Sequence, residues 1–223
     1  MEEILEKIKH CVEIGKVDAS SPYPPTMKGQ PGVAEYTQEA LKDGIEPDRI
    51  MNEAMIPAMG VVGEQFSKGK LFVPQMLMAA KSMNAGLAYI KPYFQSGDMK
   101  LKGTFIIGTV FGDMHDIGKN LVAMMVEGSG YKVIDLGINC PTEKYEAALE
   151  ANPGAIIGMS ALLTTTMTNM KVIADTIRQK HPETKFIVGG APVTPEFAEQ
   201  IGCIYGKDPK DVVEKLDKLV GAA

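Results

Sequence analysis

Gly108-Thr-Val-Phe-Gly-Asp-Met-His-Asp-Ile-Gly-Lys-Asn120 decides how the chain reads. An apolar run of strand length, residues 104–110, precedes the loop, and Ile117, Leu121, Met124 and Met125 follow it at helical spacing. A loop therefore joins a buried strand to a helix and carries Asp113 and His115 at its tip. In α/β sheets, ligands bind in the crevice at the carboxyl ends of the strands. An Asp-x-His pair also sets a carboxylate within reach of an imidazole. A carboxylate on one ring nitrogen fixes the tautomer and makes the other a better metal ligand. A helix-capping aspartate beside an exposed histidine explains the same residues, and the local sequence does not choose between the two.

Working outward, residues 104–223 alternate strand and helix. Strands are expected at 104–110, 132–136, 155–160, 185–188 and near 203–205, with helices beginning near Ile117, Thr142, Thr165, Thr194 and Pro209. Five such units predict a parallel sheet covered on both faces, a Rossmann-like domain with the flavodoxin-like strand order 2-1-3-4-5. In that order the loop after strand 1 faces the loop after strand 3, with Ser160, Leu162, Thr164, Thr165 and Thr166. The loop after strand 4 adds Gly189 and Gly190.

Upstream the pattern is helical. A first helix carries Ile4, Leu5, Ile8, Cys11 and Val12 on one stripe. A proline-rich excursion, residues 19–32, leads to a second helix at about 33–42. Pro47 opens a third, which Gly69 closes and Pro57 is expected to kink. Pro74 opens a fourth, with Met76, Leu77, Ala80, Met83, Leu87 and Ile90 on its apolar face, ending near Pro92. Short connections suggest a four-helix bundle. The polar, glycine-flanked joint at 96–102 sets the expected division: a helical domain, 1–97, and an α/β domain, 98–223.

Composition narrows the function. A net charge of −5 over 223 residues argues against a nucleic-acid surface. The charged opening helix is no signal peptide, and no apolar run is long enough to span a membrane. Three widely spaced cysteines, Cys11, Cys140 and Cys203, with no CxxC, suggest reduced thiols in a cytoplasmic protein. His10 and His181 read as solvated. Lys119 and Asn120 read as a helix first turn that either touches a ligand or faces solvent. Most of the 15 methionines fall between Met51 and Met125, where core packing is the simplest use for them.

The three loops also agree in spacing. Between Gly118 and Ser160 lie 41 residues, and between Leu162 and Gly189 lie 26. Asp113-x-His115-x-x-Gly118, Ser160-x-Leu162 and Gly189-Gly190 at these intervals resemble the signature of cobalamin-binding domains. The run Val133-Ile-Asp-Leu-Gly137 is similar to that family too. Gly63-Glu-Gln-Phe66 and Gly69-Lys-Leu-Phe72-Val-Pro74-Gln75 resemble the helical cap of methyl-transferring corrinoid proteins. Together these stretches cover nearly the whole chain, and its length is similar to that of the corrinoid proteins of three-component methyltransferase systems. Only the 19–32 excursion is longer than the family pattern.

This resemblance implies a cobalamin cofactor that alternates between cob(I)alamin and methylcobalamin. It makes His115 the cobalt ligand, with Asp113 on the other ring nitrogen and Thr166 extending the relay. Met114, Asp116, Ile117 and Gly118 would touch the corrinoid. The displaced nucleotide tail would pass Ser160, Leu162, Thr164, Gly189, Gly190 and Ala191. From the cap, Phe72 and Met76 would lie over the corrin, and the 96–102 joint would act as a hinge. Implied partners are a substrate:corrinoid methyltransferase, a methylcorrinoid:acceptor methyltransferase serving tetrahydrofolate or a thiol coenzyme, and a reductive activation protein. No complete catalytic site of its own is implied. A cobalamin-binding sensor would need an output element, which the sequence lacks. A radical mutase subunit would not explain the helical cap. A receiver-like phosphorylation domain would want clustered acids at strand 1.

Overall fold

A computed structural model describes residues 2–95 and 101–221. The chain divides into two compact units, residues 1–101 with 128–130, and residues 102–127 with 131–223. The division falls between Leu101 and Lys102. The expected hinge at 96–102 lies largely outside the described residues.

The first unit is helical. Helix α1 (Glu2–Glu13) buries Ile4, Leu5, Ile8, Cys11 and Val12, the stripe read from the sequence. Helices α2 (Val33–Lys42) and α5 (Val73–Gln95) pack with it. Between them one continuous helical run joins α3 (Pro47–Arg49), a π-helical segment (Ile50–Met55) and α4 (Ile56–Ser67). Where the sequence suggested a kink at Pro57, the structure has a π-helical segment ending shortly before it. Proline lacks an N–H and its ring crowds the carbonyl four residues back; the π segment lengthens the ladder just before it. Helix α5 continues through Pro92 to Gln95, about one turn past the expected end. Ser82 on α5 donates its hydroxyl to the carbonyls of Cys11 (3.1 Å) and Lys16 (2.8 Å). These lie at and just past the end of α1, where carbonyls lack helical partners.

The proline-rich excursion is ordered and contains a short 3-10 turn, Pro25–Met27. Its two ends meet. The N–H groups of Val33 and Ala34 donate to the carbonyls of Lys16 (3.1 Å) and Val17 (3.0 Å). Glu35 accepts from the N–H of Gly32 (2.8 Å) and of Ala19 (2.9 Å). Gly32 lies so close that a Cβ there would stand 2.6 Å from the Val17 carbonyl oxygen.

The second unit is the expected doubly wound sheet. Strands β1 (Thr104–Thr109), β2 (Lys132–Asp135), β3 (Ile156–Ser160), β4 (Phe186–Gly189) and β5 (Ile204–Tyr205) pair in parallel in the order 2-1-3-4-5. Alternate residues point to opposite faces. Ile106, Ile157, Met159, Phe186 and Val188 pack with α7 (Thr142–Ala151), α9 (Asn169–Lys180) and α10 (Pro195–Gln200). Phe105, Ile107, Ile156 and Ile187 pack with α6 (Ile117–Gly128) and α11 (Pro209–Gly221). Burial on both faces makes the strands near-continuous apolar runs. All three cysteines are buried and free. No described helix is long and apolar enough to cross a membrane.

Candidate functional site

The switch point of this sheet lies between β1 and β3, where connections leave in opposite directions. Asp113 sits there with its side chain fully buried. Its Oδ1 accepts from the His115 ring at Nδ1 (2.7 Å) and from the His115 backbone N–H (3.1 Å). Its Oδ2 accepts from the Thr166 hydroxyl (2.7 Å) and the N–H groups of Leu162 (2.8 Å) and Leu163 (3.2 Å). Thr166 belongs to α8 (Thr164–Met167), the single turn after β3. One carboxylate therefore ties the loop after β1 to the loop after β3.

The electrostatics follow from that geometry. Burial alone would raise the Asp113 pKa. The hydrogen bonds, led by Thr166 and the Leu162 N–H and then by His115, outweigh it and hold the carboxyl far below the usual carboxylate range. Asp113 is thus a fixed anion. Its Oδ1 engages Nδ1 of His115 and leaves Nε2 as the ring nitrogen that Asp113 does not hold. The His115 side chain is half exposed, so this nitrogen is presented outward on a ring whose orientation is set from behind.

Further groups hold the loop. The buried Thr109 hydroxyl donates to the His115 carbonyl (2.8 Å). Asn139, after β2, accepts from the Gly112 N–H (2.8 Å) and donates its own N–H to the Asp113 carbonyl (3.0 Å). It does so in the left-handed region, with φ 51°, where asparagine is tolerated better than most residues. Asn169 donates to the Phe111 carbonyl (2.8 Å). Sequence reasoning missed all three. An asparagine in the loop after strand 2 was the one available signal, and a weak one.

The other expected residues divide clearly. Met114 (63% exposed), Ile117 (68%) and Leu162 (45%) are exposed apolar side chains of the two joined loops, as are Phe111 and Leu163. Asp116 immediately precedes α6 and accepts from Asn120 (3.0 Å). A Cβ on Gly118 would meet nothing within 4 Å, so the chain's own packing gives no reason for a glycine. The hydroxyl of half-buried Ser160 makes no hydrogen bond among the described residues, and Thr164 is exposed beyond it. Gly189 and Gly190 end β4 at the same sheet edge, with Ala191 exposed next to them. Their smallness serves the chain directly. A Cβ on Gly190, whose φ is +128°, would stand 1.9 Å from the Ala161 carbonyl oxygen.

Phe72 and Met76 belong to the helical unit. Phe72 is 68% exposed, but Met76 is fully buried, which corrects its expected place over a ligand. On an amphipathic helix the most inward position packs the core. Lys119 is corrected as well. It faces neither ligand nor solvent: it is buried, with its ammonium on Asp135 (2.5 Å) and Asn120 (2.6 Å). His181, expected to be solvated, is half-buried with Nε2 fully screened.

This carboxyl edge suits a large, flat, metal-bearing ligand. It offers one outward imidazole nitrogen, an apolar ring of Met114, Ile117 and Leu162, an open glycine and an unused hydroxyl. The comparisons with known proteins agree. Residues 103–214 match the family described as "B12 binding domain", and residues 30–91 match a second family with the same description. The chain is 43% identical to trimethylamine corrinoid protein 1 of Methanosarcina acetivorans, over 82% of this chain and 87% of that one. It is 37% identical to the dimethylamine corrinoid protein of Methanosarcina barkeri, over 82% and 87%. Its fold is similar to a chain in the crystal structure of the methanol:cobalamin methyltransferase complex MtaBC from Methanosarcina barkeri. There the TM-score is 0.83 and identity 29%, covering all of this chain and 81% of that one. The sheet, the spaced motifs and these matches lead to one conclusion: the chain belongs to the B12-binding corrinoid proteins, and its cofactor is a cobalamin-type corrinoid.

Proposed function

We propose that the protein carries a methyl group between two methyltransferases and that His115 would hold the cobalt of its cofactor. The bound corrinoid supplies the methyl-accepting and methyl-donating cobalt. The observation that carries the reading is the Asp113 carboxylate, buried and held by five donors from two loops, which fixes one face of His115 and leaves Nε2 outward. Ligand histidines are oriented in this way by a carboxylate on the other nitrogen. Thr166 sets the acceptor geometry of Asp113, and Met114, Ile117 and Leu162 exclude water around the ring.

Ser160 and Thr164 hold the polar end of the cofactor, and Gly189, Gly190 and Ala191 flank its path. Phe72, an exposed aromatic of the helical unit, is assigned to the cofactor. Its partners would be a methyltransferase for a small methyl donor, a second for the acceptor, and a reductive activation protein. The relatives named for methylamines and the neighbour in a methanol complex support a small methylated donor, selected by the partner enzyme.

The test is electron paramagnetic resonance of the cobalt(II) state of full-length protein loaded with hydroxocobalamin and then reduced. Wild type should show nitrogen splitting from His115, and His115→Ala should lose it. Unchanged splitting in the variant removes His115 as the ligand.

A further inference from the structure

The strands are parallel, so the edge where β3 and β4 begin lies opposite the edge that carries His115. A cleft of about 520 Å³ opens there, with Glu150, Ala155, Ile156, Lys180, His181 and Lys185 in its lining. Glu146 and Glu150 are four residues apart on α7, hence on one face. His181 ends α9, with its backbone held on both sides: its N–H donates to Ile177 (2.8 Å) and its carbonyl accepts from Thr184 (3.1 Å). Ligand atoms of Glu146, Glu150 and His181 all lie within 4.8 Å of one another.

One of these groups is poorly satisfied. His181 Nε2 is buried without a hydrogen-bond partner, an unfavourable state for a polar nitrogen. Glu146 Oε1 is also buried, and the Lys180 ammonium is paired with it at 2.5 Å. Glu146 first, and Glu150 more weakly, raise the pKa of Lys180. A cation therefore already pairs with one of the two carboxylates. Its side chain is 63% exposed, so it can leave for water.

We propose that Glu146, Glu150 and His181 bind one Zn2+ ion that ties α7 to α9 at the sheet edge opposite His115. Two carboxylates and an imidazole suit zinc, whereas magnesium and calcium prefer oxygen throughout. Tetrahedral zinc at ~2.0–2.2 Å from its ligands sets them roughly 3.4 Å apart, so the two glutamates close on the ion by side-chain rotation while His181 stays in place. The fourth position opens to the cleft and takes water. Lys180 competes for the same space and is displaced when the ion enters.

The test is calorimetric titration of zinc chloride into the full-length protein after stripping with a chelator. One saturable site is expected. His181→Ala and Glu150→Gln should each weaken it at least tenfold, and Lys180→Ala should tighten it several-fold. Glu150 and Lys180 are exposed, so their variants keep the fold. His115→Ala should leave the site in place. Absence of saturable binding overturns the proposal. So does affinity unchanged in both His181→Ala and Glu150→Gln, which puts the ion elsewhere.

Discussion

The two edges of one sheet treat a histidine in opposite ways. At the carboxyl edge, His115 is half exposed, yet its Nδ1 rests on an anion held by four other donors. At the amino edge, His181 is half-buried, yet its Nε2 has no partner. The first arrangement spends its polar groups on orientation: everything behind the ring is satisfied and the outward nitrogen is the one left free. The second keeps an unsatisfied nitrogen inside. Exposure alone thus says little about which histidine is set up to bind; the pairing of the atoms behind it says more.

Removing the anchor tests this contrast most severely. Asp113→Ala should cost about 3–5 kcal/mol, since it strands a buried constellation built around a charge. Urea unfolding at neutral pH measures it, and a cost below that of a surface substitution breaks the contrast. The acid behaviour has a definite sign. The folded pKa of Asp113 lies below its unfolded value of about 3.9, so its stabilisation is complete above that value and is lost as pH falls below it. The gap between wild type and Asp113→Ala should therefore be level from pH 5 to 8 and narrow in acid. Next in size is Thr166→Val, which removes a hydroxyl donor from a charged acceptor and should cost roughly 1.5–3 kcal/mol, with Thr166→Ser restoring most of it. Smallest is the amino edge. With metal chelated, His181→Leu should change stability by no more than about 0.5 kcal/mol, because the nitrogen it removes made no bond. A larger loss would mean that this imidazole is already satisfied without an ion.

The legibility of the sequence follows the same physics. The strand order, and each strand start to within one residue, were readable because runs such as 104–109 and 156–160 are buried on both faces. The Asp113–His115 pair was readable because its two members are two residues apart and its distant pieces sit at fixed spacing. Thr109, Asn139 and Asn169 were not, since each acts on the loop from another element. Lys119 hid for the same reason: its partner Asp135 ends β2. The π segment before Pro57 escaped because periodicity shows an apolar face but not a widened turn. Met76 was misplaced because a methionine on a helix face looks the same whether it meets a core or a cofactor.

The proline-rich excursion also has a consequence for how the chain can vary. Its ends are stitched together by Glu35 and by the N–H groups of Val33 and Ala34, so the path between them is a detour that returns to its starting point. Closure entropy rises only slowly with loop length, and the stitch belongs to residues outside the detour. The segment from Pro24 to Gln30 is therefore a cassette: it can be shortened, lengthened or replaced by a recognition sequence while α1 and α2 keep their register and Ser21 keeps its carbonyl on the buried Lys16 ammonium. A corrinoid carrier could acquire a new docking partner here without altering a residue of the site that holds its cofactor.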